Sequence, residues 1–118
     1  METTRLTEVT GRLLAEARTA PGGRSAHTLH GGPGGHLRQT VLALAAGHGL
    51  AEHDNPGEAT LQVLAGEVTL RSATESWTGT AGDHVTITRE RHELLAARDS
   101  AVLLTILPTG PGEFPPAG

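Results

Sequence analysis

Beyond residue 23 the chain is cut at short intervals by glycine, proline, aspartate and asparagine, and the pieces between the cuts are patterned for strands. Ser25–His30 is a first candidate, followed by the glycine-rich GGPGG of residues 31–35. His36–Ala45 alternates in part and then runs apolar, and Ala59–Leu64 is apolar up to a tight turn at Ala65-Gly66. Glu67–Arg71 alternates cleanly, with Val68 and Leu70 on one face and Glu67, Thr69 and Arg71 on the other. Trp77 precedes a turn at Gly79–Asp83, after which His84–Thr88, Glu93–Ala97 and Ala101–Leu107 complete the set. Many short strands at nearly regular spacing, with turn residues between them, indicate an all-β sandwich or barrel.

The two ends of the chain read differently. Residues 4–19 place Leu6, Val9, Leu13, Leu14 and Ala17 on one helical face and Arg5, Glu8, Arg12 and Glu16 on the other. This predicts a short amphipathic helix lying on a larger body, capped by Thr4 or Thr7 and ended by Pro21-Gly22-Gly23. The tail from Pro108 is too rich in proline and glycine for a regular element. The expected organisation is a helix and turn over 1–23, a barrel over 24–107 and a tail over 108–118, with no second domain.

Composition removes several kinds of chemistry. The chain has no cysteine, so disulfides and thiolate sites are out and metal ligands must be histidine or carboxylate. It has no lysine, which excludes Schiff-base catalysis. A net charge of −4, with one Trp, one Phe and no Tyr, argues against a nucleic-acid partner. No apolar run approaches the roughly 20 residues of a membrane span. The polar opening METTRLTEVT lacks the pattern of a secretory signal, so the expected location is the cytoplasm. Abundant Ala, Gly, Arg and Pro match the codon usage of a GC-rich bacterial genome.

Two segments carry a resemblance. Gly47–Gly66 reads GHGLAEHDNPGEATLQVLAG and Thr80–Leu94 reads TAGDHVTITRERHEL. Together they resemble the paired signature motifs of the cupin superfamily, in the form found in small single-domain bacterial cupins. The skeleton fits: the VLAGEVTL turn and hairpin, the Trp ahead of AGD, and the spacing between the motifs. The resemblance implies an antiparallel jelly-roll barrel (a double-stranded β-helix) with one short N-terminal α-helix outside it. It also implies a divalent metal such as Fe, Mn, Ni or Zn, held inside the barrel by converging ligands.

Laid on the motif, His53 takes the first ligand position and His92 the last. Asn55 stands where the family has its second histidine, and the family glutamate falls on Ala59, with Glu58 one residue ahead. Thr88 stands where a proline is common. The implied metal set is therefore His53, Asn55, Glu58 and His92, in which an amide replaces an imidazole and Glu58 must turn inward. No catalytic residue is singled out.

The other histidines carry blander readings. His84 next to Asp83 suits a local hydrogen bond, His48 between two glycines suits an exposed turn, and His27, His30 and His36 suit strands at the pocket mouth or a subunit interface. Arg89 and Arg91 flank His92 and would suit an anionic substrate, but a solvated loop is the safer reading. Two functions follow from the resemblance. One is a metal-assisted enzyme of the oxygenase, isomerase or lyase class acting on a small metabolite. The other is a non-catalytic pocket, without metal, that binds or senses a metabolite. The resemblance also implies a homodimer, with the apolar Val102–Leu107 strand and the tail as the segments to place at its interface.

Overall fold

A computed structural model describes residues 1–31, 36–53 and 57–108. The described residues form one helix, α1 (Leu6–Thr19), and nine strands: β1 (Arg24–His30), β2 (Arg38–Leu44), β3 (Gly49–His53), β4 (Gly57–Ala65), β5 (Glu67–Arg71), β6 (Ser76–Thr80), β7 (His84–Ile87), β8 (His92–Ala96) and β9 (Ser100–Pro108). They form two antiparallel sheets, one ordered β1-β2-β9-β4-β7 and the other β3-β8-β5-β6. With β1 set aside as an added edge, these are the two four-stranded halves of a jelly roll.

The core follows from strand alternation. On β4 Gly57, Ala59, Leu61 and Val63 are buried while Glu58 and Gln62 are exposed. On β8 His92, Leu94 and Ala96 are buried. Leu42, Leu44, Leu61, Val63 and Val102 from the first sheet meet Val68, Leu70, Leu94 and Ala96 from the second. The hairpin at Ala65-Gly66 is pinned from below. Gly66 has φ +82°, and a Cβ there would collide with Ser100 and the carbonyl of Asp99. Ser100 is fully buried, and its Oγ accepts the Glu67 N–H at 3.0 Å and lies 2.6 Å from the Arg98 carbonyl.

A second apolar layer lies outside the barrel. Leu13 and Ala17 of α1 are buried against Val41, Ala43 and Ala101, with Leu6, Val9 and Leu14 at the margin. This is the apolar face that the helical periodicity predicts. Polar contacts fix its edges: Arg18 Nε donates to Asp99 at 2.6 Å, Asp99 accepts the Ala46 N–H at 2.9 Å, and Ser25 Oγ donates to Glu16 at 2.5 Å. Those contacts hold both carboxyls below their ordinary ranges, Glu16 chiefly through Ser25 and Asp99 chiefly through the Ala46 amide. No helix among the described residues is long and apolar enough to cross a membrane.

Four expectations need correction. The helix is preceded by Arg5 as its N-cap, with no side-chain cap from Thr4 or Thr7. Trp77 does not merely precede a turn but sits within β6, a largely polar edge strand whose inward contacts come from Trp77 and Gly79. Pro108, assigned to the tail, closes β9 opposite Gly57; residues 109–118 lie outside the described residues. Finally, β9 cannot extend a sheet across a dimer. Its backbone is already paired on one side with β2 and on the other with β4, so the strand edges fall elsewhere.

Candidate functional site: the barrel interior at His92

At one end of the barrel β3 finishes at His53, β4 starts at Gly57, β7 finishes at Ile87 and β8 starts at His92. The β3–β8 ladder pairs the backbones of His53 and His92 directly. His92, first of the inward residues of β8, is 6% exposed and is the one charged or titratable side chain in the core of the described residues. Its Nε2 lies 3.3 Å from Thr88 Oγ1, and its Nδ1 has no hydrogen-bond partner. Whether Thr88 donates or accepts fixes the tautomer, and in either case Nδ1 is a polar atom left unmatched. An unmatched buried group of this kind costs about 1–3 kcal/mol, a cost that a bound polar atom would remove.

The His92 ring faces an interior cavity between the sheets. Ten aliphatic side chains line the rest of it, among them Leu42, Ala59, Leu61, Leu104 and Ile106. The open space at its centre is about 40 Å³, more than the ~10–15 Å³ that admits a single water. No arginine, aspartate or glutamate is among the described lining residues.

A crevice reaches the same histidine from the side. It runs between Ser72, Glu75 and Trp77 on one bank and Val85, Thr86 and Thr88 on the other, and it shares Leu70 and His92 with the cavity. The indole of Trp77 lies over Gly79, at which any Cβ would strike the ring. Above the crevice Thr74 Oγ1 donates to the Glu90 carboxylate, 2.8 and 3.0 Å from its two oxygens, and so joins the β5–β6 turn to the loop before β8.

Of the four residues implied as metal ligands, the structure brings two backbone positions together, His53 and His92. Glu58 is a correction. It is exposed on the outer face of β4, because that strand alternates strictly from Gly57 and Ala59 takes the inward place. Asn55 lies outside the described residues. A resident catalytic metal therefore does not fit the described donors. The carboxylate position is a methyl group, and among the described residues no three histidine or carboxylate side chains gather as a metal would require.

The remaining charged candidates also point away. Arg91 is directed at Glu52, 3.6 Å from its carboxylate. Arg89 lies with Glu58, Thr60 and Leu107 along a groove on the outside of the barrel. His27, His30, His36, His48 and His84 are exposed. Asp83 hydrogen-bonds the Thr80 backbone. Thr88 and Trp77 are the contributors that the sequence did not mark as site residues. The substitution of threonine for the common proline four residues before His92 was the available signal for Thr88.

No family model and no curated protein matches this sequence. Solved structures do match its fold. A conserved protein of unknown function from Streptococcus pyogenes superposes with a TM-score of 0.68 at 22% identity, over 77% of this chain and 79% of its own. A cupin superfamily protein from Desulfitobacterium hafniense gives 0.67 at 14% identity, over 73% and 78%. The salicylate 1,2-dioxygenase of Pseudoaminobacter salicylatoxidans, as a point mutant, gives 0.67 at 23% identity, over 83% of this chain and 33% of that one. At these identities the likeness defines the fold alone.

Proposed function

We propose, from the premise that this chain is a cupin-fold barrel, that it binds a small molecule in the barrel interior and holds it without a metal. The observation that carries this reading is the cavity itself: ten aliphatic side chains and one buried imidazole with a vacant hydrogen-bonding atom. An apolar enclosure with a single oriented polar group is the usual build of a small-ligand site. Such a pocket suits a sensor or a binding partner of a metabolic enzyme.

Metal-assisted oxygenase, isomerase or lyase chemistry needs several strong donors converging on open coordination positions. Ala59 and the outward Glu58 withhold the carboxylate from that set.

The test is elemental analysis of protein purified without chelator, beside a His53→Ala/His92→Ala variant, together with thermal melts over a small-molecule library. The expected result is no stoichiometric metal in either protein and a melting temperature that climbs with the concentration of a bound compound. Near-stoichiometric iron, manganese, nickel or zinc that survives dialysis and vanishes from the variant would overturn the reading.

A further inference from the structure

Two charged side chains singled out by the motif segments, Glu58 and Arg89, have no part in the barrel interior, and the fold brings both to one groove. It runs along the outside of the barrel, at the end where β4 begins and β7 finishes, and offers about 500 Å³. That volume lies within the range of small-ligand sites and is several times the roughly 150 Å³ that holds a benzene ring. We infer that this groove binds a small zwitterion of the aliphatic α-amino acid type, with its ammonium on Glu58 and its carboxylate on Arg89. The groove is separate from the interior cavity, so the inference does not rest on the reading above.

The charges argue first. Elsewhere among the described residues arginines meet carboxylates: Arg12 at Glu16, Arg18 at Asp99, Arg71 at Glu93 and Arg91 at Glu52. Glu58 and Arg89 line the same groove, yet they neither pair with each other nor find another charged partner among the described residues. One negative and one positive group are thus left for a ligand to bridge. Glu58 belongs to β4, and Arg89 follows the end of β7, the neighbour of β4 in the sheet. Neighbouring strands lie about 4.8 Å apart. An ammonium and a carboxylate borne on one carbon span such a gap with a charge-assisted hydrogen bond at each end.

The walls complete the fit. Thr86 on β7, Thr60 on β4 and Thr105 on β9 stand in line across the sheet, because the register pairs Thr60 with both of the others. All three line the groove. Their hydroxyls donate and accept, and so serve a ligand's remaining polar atoms without adding charge. On the β9 side Leu107 is the register partner of Glu58, and Leu37, which is 40% exposed, lines the same groove. An aliphatic side chain laid there removes apolar surface from water. Across the groove the order is guanidinium, carboxylate, aliphatic patch, which orders the ligand as carboxylate, ammonium, side chain. A ligand with only one of the two charges leaves Glu58 or Arg89 unused.

The test is titration of the full chain with L-leucine, isoamylamine and isocaproate, followed by backbone amide NMR shifts. The last two keep the leucine side chain and lack its carboxylate or its ammonium. At about pH 6.5 ordinary ammonium and carboxylate groups are both charged. Leucine is expected to shift the amides of Thr60, Thr86 and Leu107 and to bind about fivefold more tightly than either analogue, the strong end for one exposed ion pair. Glu58→Gln should weaken leucine and isoamylamine and not isocaproate; Arg89→Gln should weaken leucine and isocaproate and not isoamylamine. That crossed pattern is one a merely structural role would not produce.

Leucine no tighter than both analogues, shifts confined to residues away from the groove, or no shift up to the solubility of leucine would each overturn the inference. So would a variant that weakens all three compounds alike. Glu58 and Arg89 are both exposed, so their substitution leaves the core intact, and the wild-type comparison of the three compounds needs neither variant. None of these outcomes alters the reading of the barrel interior, which is tested by its own metal analysis and melts.

Discussion

At the scale of single residues, the structure separates positions that tolerate change from positions that do not. Gly11 lies on the exposed side of α1, and a Cβ there would meet nothing within 4 Å. Alanine keeps the helical geometry and narrows the unfolded ensemble, so Gly11→Ala is expected to stabilise the fold by about 0.5–1 kcal/mol. Chemical denaturation of the two proteins measures this as a raised midpoint at unchanged slope. Legibility in the sequence also divides by residue. His92 was legible because its motif position and the strand period agree that it faces inward. Glu58 was not, because its inward placement required the chain to shift at Pro56-Gly57, whereas β4 holds strict alternation from Gly57 onward. Ser100 was invisible as an anchor. Its value lies in the Glu67 amide and Arg98 carbonyl it meets, and no spacing rule brings those together in advance.

At the scale of elements, α1 is attached to the barrel by an apolar face and by two carboxylates, and the carboxylates make the attachment acid-sensitive. Glu16 and Asp99 both ionise more readily in the folded state than at their ordinary values of 4.5 and 3.8. Arg12 and His27 assist at Glu16, and Arg18 at Asp99. A lowered folded-state pKa means that the stabilisation is complete above the ordinary value and is lost as pH falls through the folded one. The melting temperature should therefore drop as pH goes below about 4.5, and a Glu16→Gln/Asp99→Asn variant should show a flatter decline across that window. An equally steep decline in the variant would assign the acid sensitivity to other groups. The helix itself was readable from its five-residue apolar stripe, and most strands from alternation and turns. β6 was not readable as a strand: Ser76, Thr78 and Thr80 are polar, Gly79 is a poor strand former, and only pairing with β5 draws the segment into the sheet.

At the scale of the whole molecule, the fold class was accessible because turn spacing and the two motif segments agreed, while the ladder order was not, since register partners lie far apart in sequence. The place of β9 in that order has a consequence for how the molecule is made. β9 follows every other strand in the chain, yet it is the one to which both β2 and β4 attach. Until it is synthesised, the first sheet exists only as two fragments, β1-β2 and β4-β7, each with an unsatisfied edge. A chain of residues 1–98 is expected to lack a cooperative melt and to associate, and addition of a peptide of residues 99–118 should restore the melt. A cooperative melt from the truncated chain alone would refute this. For a nascent chain the outcome is a waiting period. The barrel cannot close piecemeal as it leaves the ribosome, and its apolar strands depend on chaperones or on speed until the last strand is released.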